Sequence, residues 1–202
     1  KELALGLHFN NFMHGYPNNK HIWLFWNDSI SVDLIETSSQ RLSIKVSSNE
    51  VSYIMSIVYA SCDPVLKKDL WASLSAFNSG SAAWFIGGDF TTIIDLSEKK
   101  VGGVYPSNGI QDFLSFITSN QLLDLGLTRD AYTWCNNRRG SSRIWSRLDR
   151  CLGNLQAISA FSGSSVTHLS RSLSDHSPLL LHVHVSGEIR RGFFYSSRWW
   201  HH

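Results

Sequence analysis

Charge is scarce in this chain. Only 17% of its 202 residues are Asp, Glu, Lys or Arg, and they nearly cancel, leaving a formal +2. That excludes a disordered, highly charged chain. It also excludes a module that binds nucleic acid through bulk basicity, so any such contact must come from a local patch. Cysteine is equally sparse. Cys62, Cys135 and Cys151 are far apart, odd in number and form no C-x-x-C pair. This spacing excludes a disulfide scaffold and a zinc cluster, and reads as three free thiols in a reducing compartment. No apolar run approaches the length of a membrane span, and no charged-then-apolar signal segment opens the chain. There is no internal repeat and no long low-complexity linker. The chain begins at Lys1 and reads as a fragment of a longer reading frame.

What is present is a core. Hydrophobic residues make up 43% of the chain, enough for one sizeable domain. Residues 1–20 show no clear period. Ile22 to Trp26 is apolar on both faces, as in a buried strand. Ser31 to Thr37 and Arg41 to Ser47 follow as shorter strands. In the second, Leu42, Ile44 and Val46 alternate with Ser43 and Lys45. Val51 to Ala60 is a further strand. Asp63-Pro64 then starts a helix, with Leu66, Leu70, Leu74 and Phe77 at helical spacing, ended by Asn78 to Ser81. Ala83 to Gly88 reads as a buried strand, Lys99 to Asn108 as a loop, and Ile110 to Ser119 as an amphipathic helix. Tyr132 to Trp134, Arg143 to Leu152, Ser165 to Leu169 and Leu179 to Val185 read as strands, with one or two helical turns over Asn154 to Phe161. Strands interleaved with helices predict a layered α/β domain.

Three stretches offer chemistry beside predicted strands. Gly87-Gly88 lets the backbone turn and leaves Asp89 at a strand end, where carboxylates line clefts in α/β proteins. On one strand, Arg147 and Asp149 would share a face, with Leu148 opposite. Asp175-His176 lies just before the apolar run from Leu179. Oxygen ligands of this kind suit Mg²⁺, and a histidine relays protons near neutral pH. Taken singly, each has an ordinary structural reading: a turn aspartate, a salt-bridged strand, a polar loop.

In order along the chain, Gly88-Asp89-Phe90, Arg147-Leu148-Asp149 and Ser174-Asp175-His176 resemble the endonuclease/exonuclease/phosphatase superfamily. The likeness sharpens toward plant LINE-type (non-LTR) retrotransposon endonucleases. It does so through the Trp-rich Ile22 to Trp26, Tyr59-Ala60, Glu98-Lys99 with Gly102-Gly103, Leu123-Asp124-Leu125-Gly126, Tyr132 to Asn136, and the run from His168 to Pro178. It covers roughly residues 20–185. The resemblance implies a deoxyribonuclease-like α/β sandwich of two packed, mainly antiparallel sheets flanked by helices, with the early strands missing. It divides the chain into an irregular segment 1–20, an incomplete domain 21–186, and a connector 187–202, ending in Trp199-Trp200-His201-His202, toward a missing downstream region. It implies a metal-dependent phosphodiesterase or DNA endonuclease that hydrolyses phosphodiester bonds with an activated water. Carried over by residue, Tyr59 would sit by the scissile phosphate and Asp89 would orient or deprotonate the water. Asp175 would help bind Mg²⁺ or Mn²⁺. His176 would contact the phosphate and the developing charge, and Asp149 would hold the His176 ring. The implied partners are DNA and the reverse transcriptase region of the same polyprotein, and the implied place of action is intracellular and nuclear, although no basic import run is present.

Two departures bear on activity. Thr91 stands where the family has Asn, offering a shorter hydroxyl in place of an amide. By analogy with a lost transition-state donor, that implies a rate loss on the order of 10²–10³. The family's early metal-binding Glu has no counterpart before His21: Glu2 stands alone, and Glu36 reads as a strand-end charge. Metal binding is expected to be weakened accordingly. His182 and His184 share a strand face but lack a third ligand. Arg138, Arg139, Arg143, Arg147 and Arg150, interleaved with Tyr132, Trp134 and Trp145, read either as a DNA groove or as a solvated hairpin. The expected nucleic-acid contacts are Arg138, Arg143, Trp134 and Arg147. Two other functions stay open: a catalytically decayed remnant that binds nucleic acid weakly, and a phosphatase acting on a small phosphoester.

Overall fold

The computed structural model describes residues 9–15, 17–49, 51–77, 81–103, 107–171, 174–185 and 188–194. The expected helix end at Asn78 to Gly80, the lone Glu2 and the Trp199-Trp200 pair lie outside those residues. Among the described residues no helix is long and apolar enough to cross a membrane.

Strand β1 (Asn11–His14) and strand β2 (Trp23–Trp26) form an antiparallel ribbon in which Phe12 faces Phe25 and Met13 faces Leu24. The sequence reading of 1–20 as irregular is corrected here. A four-residue strand has too few positions to reveal a period, and this one is fixed by a partner twelve residues away. Only one face of the ribbon packs inward, through Met13 and Leu24. Trp23 stays 46% exposed, so the expectation of a strand buried on both faces does not hold.

Strands β3 (Ser31–Thr37), β4 (Arg41–Ser47) and β5 (Ser52–Tyr59) follow as an antiparallel meander. Helix α1 (Pro64–Phe77) starts where expected, with the Asp63 carboxylate accepting the Val65 N–H at 2.8 Å. It crosses over to β6 (Trp84–Asp89), which runs parallel to β5. The predicted loop after residue 99 contributes a short strand, β7 (Lys99–Lys100), before helix α2 (Ser107–Ser119). Next come β8 (Leu123–Asp124), β9 (Trp134–Cys135), β10 (Trp145–Ser146) and β11 (Asp149–Gly153). The single strand expected over Arg143 to Leu152 is therefore two. β10 joins β7 and β9 in a three-stranded sheet, and β11 joins the main sheet between β6 and β8. The chain leaves one sheet and enters the other at Arg147 and Leu148, a break that hydrophobic alternation cannot reveal. Helix α3 (Leu155–Ala160) is capped by Asn154, whose side chain accepts the Ala157 N–H at 2.9 Å. Strands β12 (Ser165–His168), β13 (Leu179–Val185) and β14 (Glu188–Phe194) form an antiparallel sheet. β14 thus places regular structure in the segment read as a connector.

The main sheet has the order β3-β4-β5-β6-β11-β8. On one side it packs against the helices through Leu70, Trp71, Leu74, Phe113 and Phe116. On the other, Leu42, Ile44, Met55, Phe85 and Cys151 meet Val166, Leu179, Leu181 and Val183 from the β12–β13 side. The result is helices, sheet and second sheet in layers, as the sequence predicts. Strands β5 and β6 run parallel and end together at one end of the main sheet, where β11 starts.

Candidate active site

Register places three of the expected residues in one row. Tyr59 lies beside Asp89 across the β5–β6 pair, and Asp89 lies opposite Asp149 across the β6–β11 pair. Side chains in register on neighbouring strands project from the same face, so the phenol and both carboxylates point to one side of the sheet. Gly88 makes the close approach possible. It has φ +137°, and a Cβ there would run into the Val58 carbonyl oxygen on β5. Buried Thr133 fixes the start of β11, because its hydroxyl oxygen accepts the N–H groups of Leu148 at 2.9 Å and Asp149 at 3.0 Å.

His176 reaches this row from the segment before β13. That segment is laced to β9: Cys135 N–H donates to the Asp175 carbonyl at 3.0 Å, Ser177 N–H donates to the Thr133 carbonyl at 2.7 Å, and Trp134 forms an antiparallel bridge with His176. The imidazole Nδ1–H donates to Asp149 Oδ2 at 2.8 Å, while Nε2 is 3.8 Å from Asp89 Oδ2, beyond hydrogen-bond length. Burial alone would lower the pKa of this ring. The carboxylates of Asp149, Asp89 and Asp175 outweigh burial and raise it from 6.5 to about 9, so the ring is an imidazolium at neutral pH. Ligand atoms of Asp89, Asp149 and His176 all lie within 4.8 Å of one another. Asp175, the residue expected to bind the metal, is not in that group: its carboxylate accepts the Trp134 indole N–H at 3.0 Å and acts on the His176 ring through its charge. The carboxylate oxygens of this buried cluster are the donor type that Mg²⁺ and Mn²⁺ take. With its Nδ1 proton committed to Asp149, His176 serves better as a charge beside such an ion than as its ligand.

Thr91 lies immediately beyond. It has φ +47°, and its N–H donates to Asp89 Oδ1 at 2.7 Å. Its hydroxyl donates to the Ser61 carbonyl at 3.0 Å. Lys67 ties down the same turn, donating to the Thr91 carbonyl at 3.1 Å and the Thr92 hydroxyl at 2.9 Å. On the far side, the His21 ring lies against Tyr59 with centroids 4.9 Å apart. Nothing in the residues around His21 singles it out along the chain.

No family model and no curated protein sequence matches the chain. Solved structures do. The endonuclease domain of TRAS1, a telomere-specific non-LTR retrotransposon, is 14% identical, with a TM-score of 0.64 over 80% of this chain and 72% of its own. The D. rerio TDP2 complexed with single strand DNA product is 14% identical, with a TM-score of 0.56 over 88% of this chain and 78% of its own. The Xenopus laevis APE2 catalytic domain is 16% identical, with a TM-score of 0.52 over 80% of this chain and 58% of its own. The chain has the deoxyribonuclease-like fold. At these identities the likeness is one of fold.

Within the deoxyribonuclease-like sheet, sequence reasoning missed a buried charge ring. Arg147 donates to Glu98 Oε1 at 3.0 Å and to Asp124 Oδ1 at 2.9 Å. Arg150 donates to Glu98 Oε2 at 2.7 Å and to Asp124 Oδ2 at 2.9 Å. The four residues meet from three segments of chain, and no spacing along the sequence signals that. The expectation that Arg147 contacts nucleic acid is corrected: it is buried, and its guanidinium is turned to two carboxylates. Nor does it share a face with Asp149, since the chain changes sheets between them. Arg138 and Arg143 are exposed on the β9–β10 hairpin, where the Arg143 Nε–H donates to the Arg138 carbonyl at 2.8 Å. Trp134 is turned to Asp175. Glu36 is remote from the site and pairs with buried Arg41 at 2.6 Å. His182 and His184 are half-buried on β13 and join no metal-type cluster among the described residues. A further buried histidine, His168, donates from Nδ1 to the Asp130 carbonyl at 2.7 Å, and its Nε2 is buried without a partner. Burial lowers its pKa, so it is held neutral.

Proposed function

We propose that this chain is a divalent-metal-dependent phosphodiesterase that cuts DNA, from the endonuclease region of a LINE-type retrotransposon. The observation that carries the reading is the row Tyr59, Asp89, Asp149 with the His176 imidazolium held over it. Two carboxylates, a phenol and one cationic ring gathered at the ends of neighbouring strands suit a transferring phosphoryl group. The His176 Nε2–H, aimed by the Nδ1 bond to Asp149, would donate to a phosphate oxygen and offset the charge that develops there. The Asp89 carboxylate would orient the attacking water and accept its proton. The Tyr59 phenol would flank the same phosphate. Asp175 would help hold Mg²⁺ or Mn²⁺, which would supply Lewis-acid stabilisation of the phosphoryl oxygen and the leaving group. The retrotransposon context rests on the motif resemblance, with the fold likeness to the TRAS1 domain in support. It carries with it a nuclear place of action and the reverse transcriptase region of the same polyprotein as partner.

One observation favours a second reading, a decayed copy that binds nucleic acid without cutting it. Thr91 occupies a left-handed backbone position with its hydroxyl turned to Ser61, where the resemblance calls for an amide. Nicking of supercoiled plasmid in Mg²⁺ or Mn²⁺ separates the two. Nicking that disappears in His176→Ala and in EDTA supports the hydrolase. Intact plasmid with the parent chain and with Thr91→Asn, at protein concentrations that retain DNA in a gel, supports the remnant.

A further inference from the structure

We infer that Arg143, Trp145 and Arg171 form a platform that grips the phosphodiester backbone of a nucleic acid next to His176. The inference rests on the hydrolase reading and deepens it by naming where the polymer outside the scissile bond is held. Trp145 is half-buried at the start of β10. The Arg171 guanidinium carbon lies 4.7 Å from its ring centroid and that of Arg143 lies 5.8 Å away, both within cation–π range. Arg171 also reaches the Asp175 carbonyl at 3.5 Å, one residue before His176. Trp145 directly precedes Ser146, whose partner across β9–β10 is Trp134, the residue that bridges to His176. The platform is therefore tied to the catalytic row by short, partly buried links.

Charge partnership separates these arginines from the buried ones. Arg41, Arg147 and Arg150 are buried and each is neutralised by a carboxylate. Among the described residues neither Arg143 nor Arg171 forms such a pair. A guanidinium laid on an indole is pre-positioned and weakly hydrated, and its N–H edge matches a phosphate in a bidentate manner. Lys100, exposed and directly across β7–β10 from Trp145, adds a third cation. A small phosphoester has one phosphate and would engage only the site at His176. A nucleic acid strand also presents neighbouring phosphates to the platform.

The test is fluorescence anisotropy of the whole chain with labelled single-stranded DNA, duplex DNA and RNA of one sequence, in EDTA and across a salt series. Arg143→Gln and Arg171→Gln should each weaken binding several-fold and flatten the log-log salt slope on duplex by about 0.9. Arg171→Lys should keep the slope, and the remote Lys45→Gln should leave both slope and affinity unchanged. Matching circular-dichroism melts identify any variant that fails to fold, and the Gln–Lys pair at 171 then decides. Unchanged slopes in both Gln variants, or no binding of any of the three probes, overturn the platform. Binding of RNA alone upholds the platform and overturns DNA as its ligand. Because no metal is present, the outcomes separate cleanly from the hydrolase reading. Plasmid nicking with unchanged slopes sinks the platform only, and flattened slopes without nicking sink the hydrolase only.

Discussion

Asp89 and Asp149 face each other across β6 and β11, and the His176 ring spans them, 2.8 Å from one carboxylate and 3.8 Å from the other. Like charges placed directly opposite on a sheet repel, and here the imidazolium offsets that repulsion. His176→Ala should lower the unfolding free energy by roughly 3 kcal/mol in EDTA, the scale for stripping one partner from a buried ion pair. Adding Asp149→Asn to that variant should recover at least about 1 kcal/mol, since it removes one of the two facing charges. Urea unfolding of the single and double variants reads this directly. Simple additivity of the two changes would mean that His176 and Asp149 do not feel each other.

The two buried histidines give stability opposite slopes with pH. His176 has a folded pKa of about 9, above its ordinary 6.5. Its contribution is therefore complete below about pH 6.5 and is lost as pH rises through about 9. His168 is shifted downward by burial. The unfolded chain then takes up a proton that the folded chain refuses, so this contribution is lost as pH falls below its ordinary value. Metal-free protein should be most stable near neutral pH and decline on both sides. Asp149→Asn should flatten the alkaline arm and bring the His176 ring titration, followed by NMR, down toward its ordinary value. A His176 resonance that titrates below pH 7 in the parent chain would sink the assignment of an imidazolium.

Glu98 and Asp124 appear in the sequence only as landmarks of a resemblance, and the structure gives them work as the acidic half of the Arg147–Arg150 ring. Arg150 is fully buried, so neutralising Glu98 leaves two buried guanidinium groups to share the single Asp124 carboxylate. Glu98→Gln should cost about 3–5 kcal/mol, which is roughly 10 °C in melting temperature for a chain of this size. Thermal melts at low and high salt check it. Buried pairs are poorly screened, so the loss should persist in high salt. A loss under about 1 kcal/mol would place the ring among pairs of small net value.

What could be read from the sequence divides along local and non-local lines. The α1 start at Asp63-Pro64, the alternation in β4 and the motifs carrying Asp89, Asp149 and His176 are local patterns, and each marks a real element or a residue that the fold brings into the candidate site. The register that sets Tyr59, Asp89 and Asp149 in a row is a relation between strands, invisible along any one of them. The same holds for β1 and for the two-residue strands β7, β9 and β10, which are too short to carry a period. Arg147 misled because alternation assumes that a strand stays in one sheet. Thr133, whose hydroxyl pins the start of β11, looks like any strand threonine. Its importance comes from two N–H groups that arrive from fifteen and sixteen residues away.

Position 91 joins the backbone to the chemistry. Thr91 is held at φ +47°, where a β-branched residue is strained by on the order of 1 kcal/mol or more and asparagine is tolerated. The N–H that reaches Asp89 Oδ1 belongs to the backbone, so Asn at this position keeps that bond. It loses the hydroxyl bond to the Ser61 carbonyl, a net contribution of about 1 kcal/mol, but an amide N–H can donate to the same oxygen. Thr91→Asn should therefore raise the melting temperature by roughly 2–4 °C. If the site is a hydrolase limited by this residue, it should also raise the nicking rate on the order of 10²-fold. A lower melting temperature would show that the Ser61 bond outweighs the backbone strain. A higher melting temperature with an unchanged, measurable nicking rate would separate the two effects, leaving residue 91 a strained turn whose side chain does not set the rate.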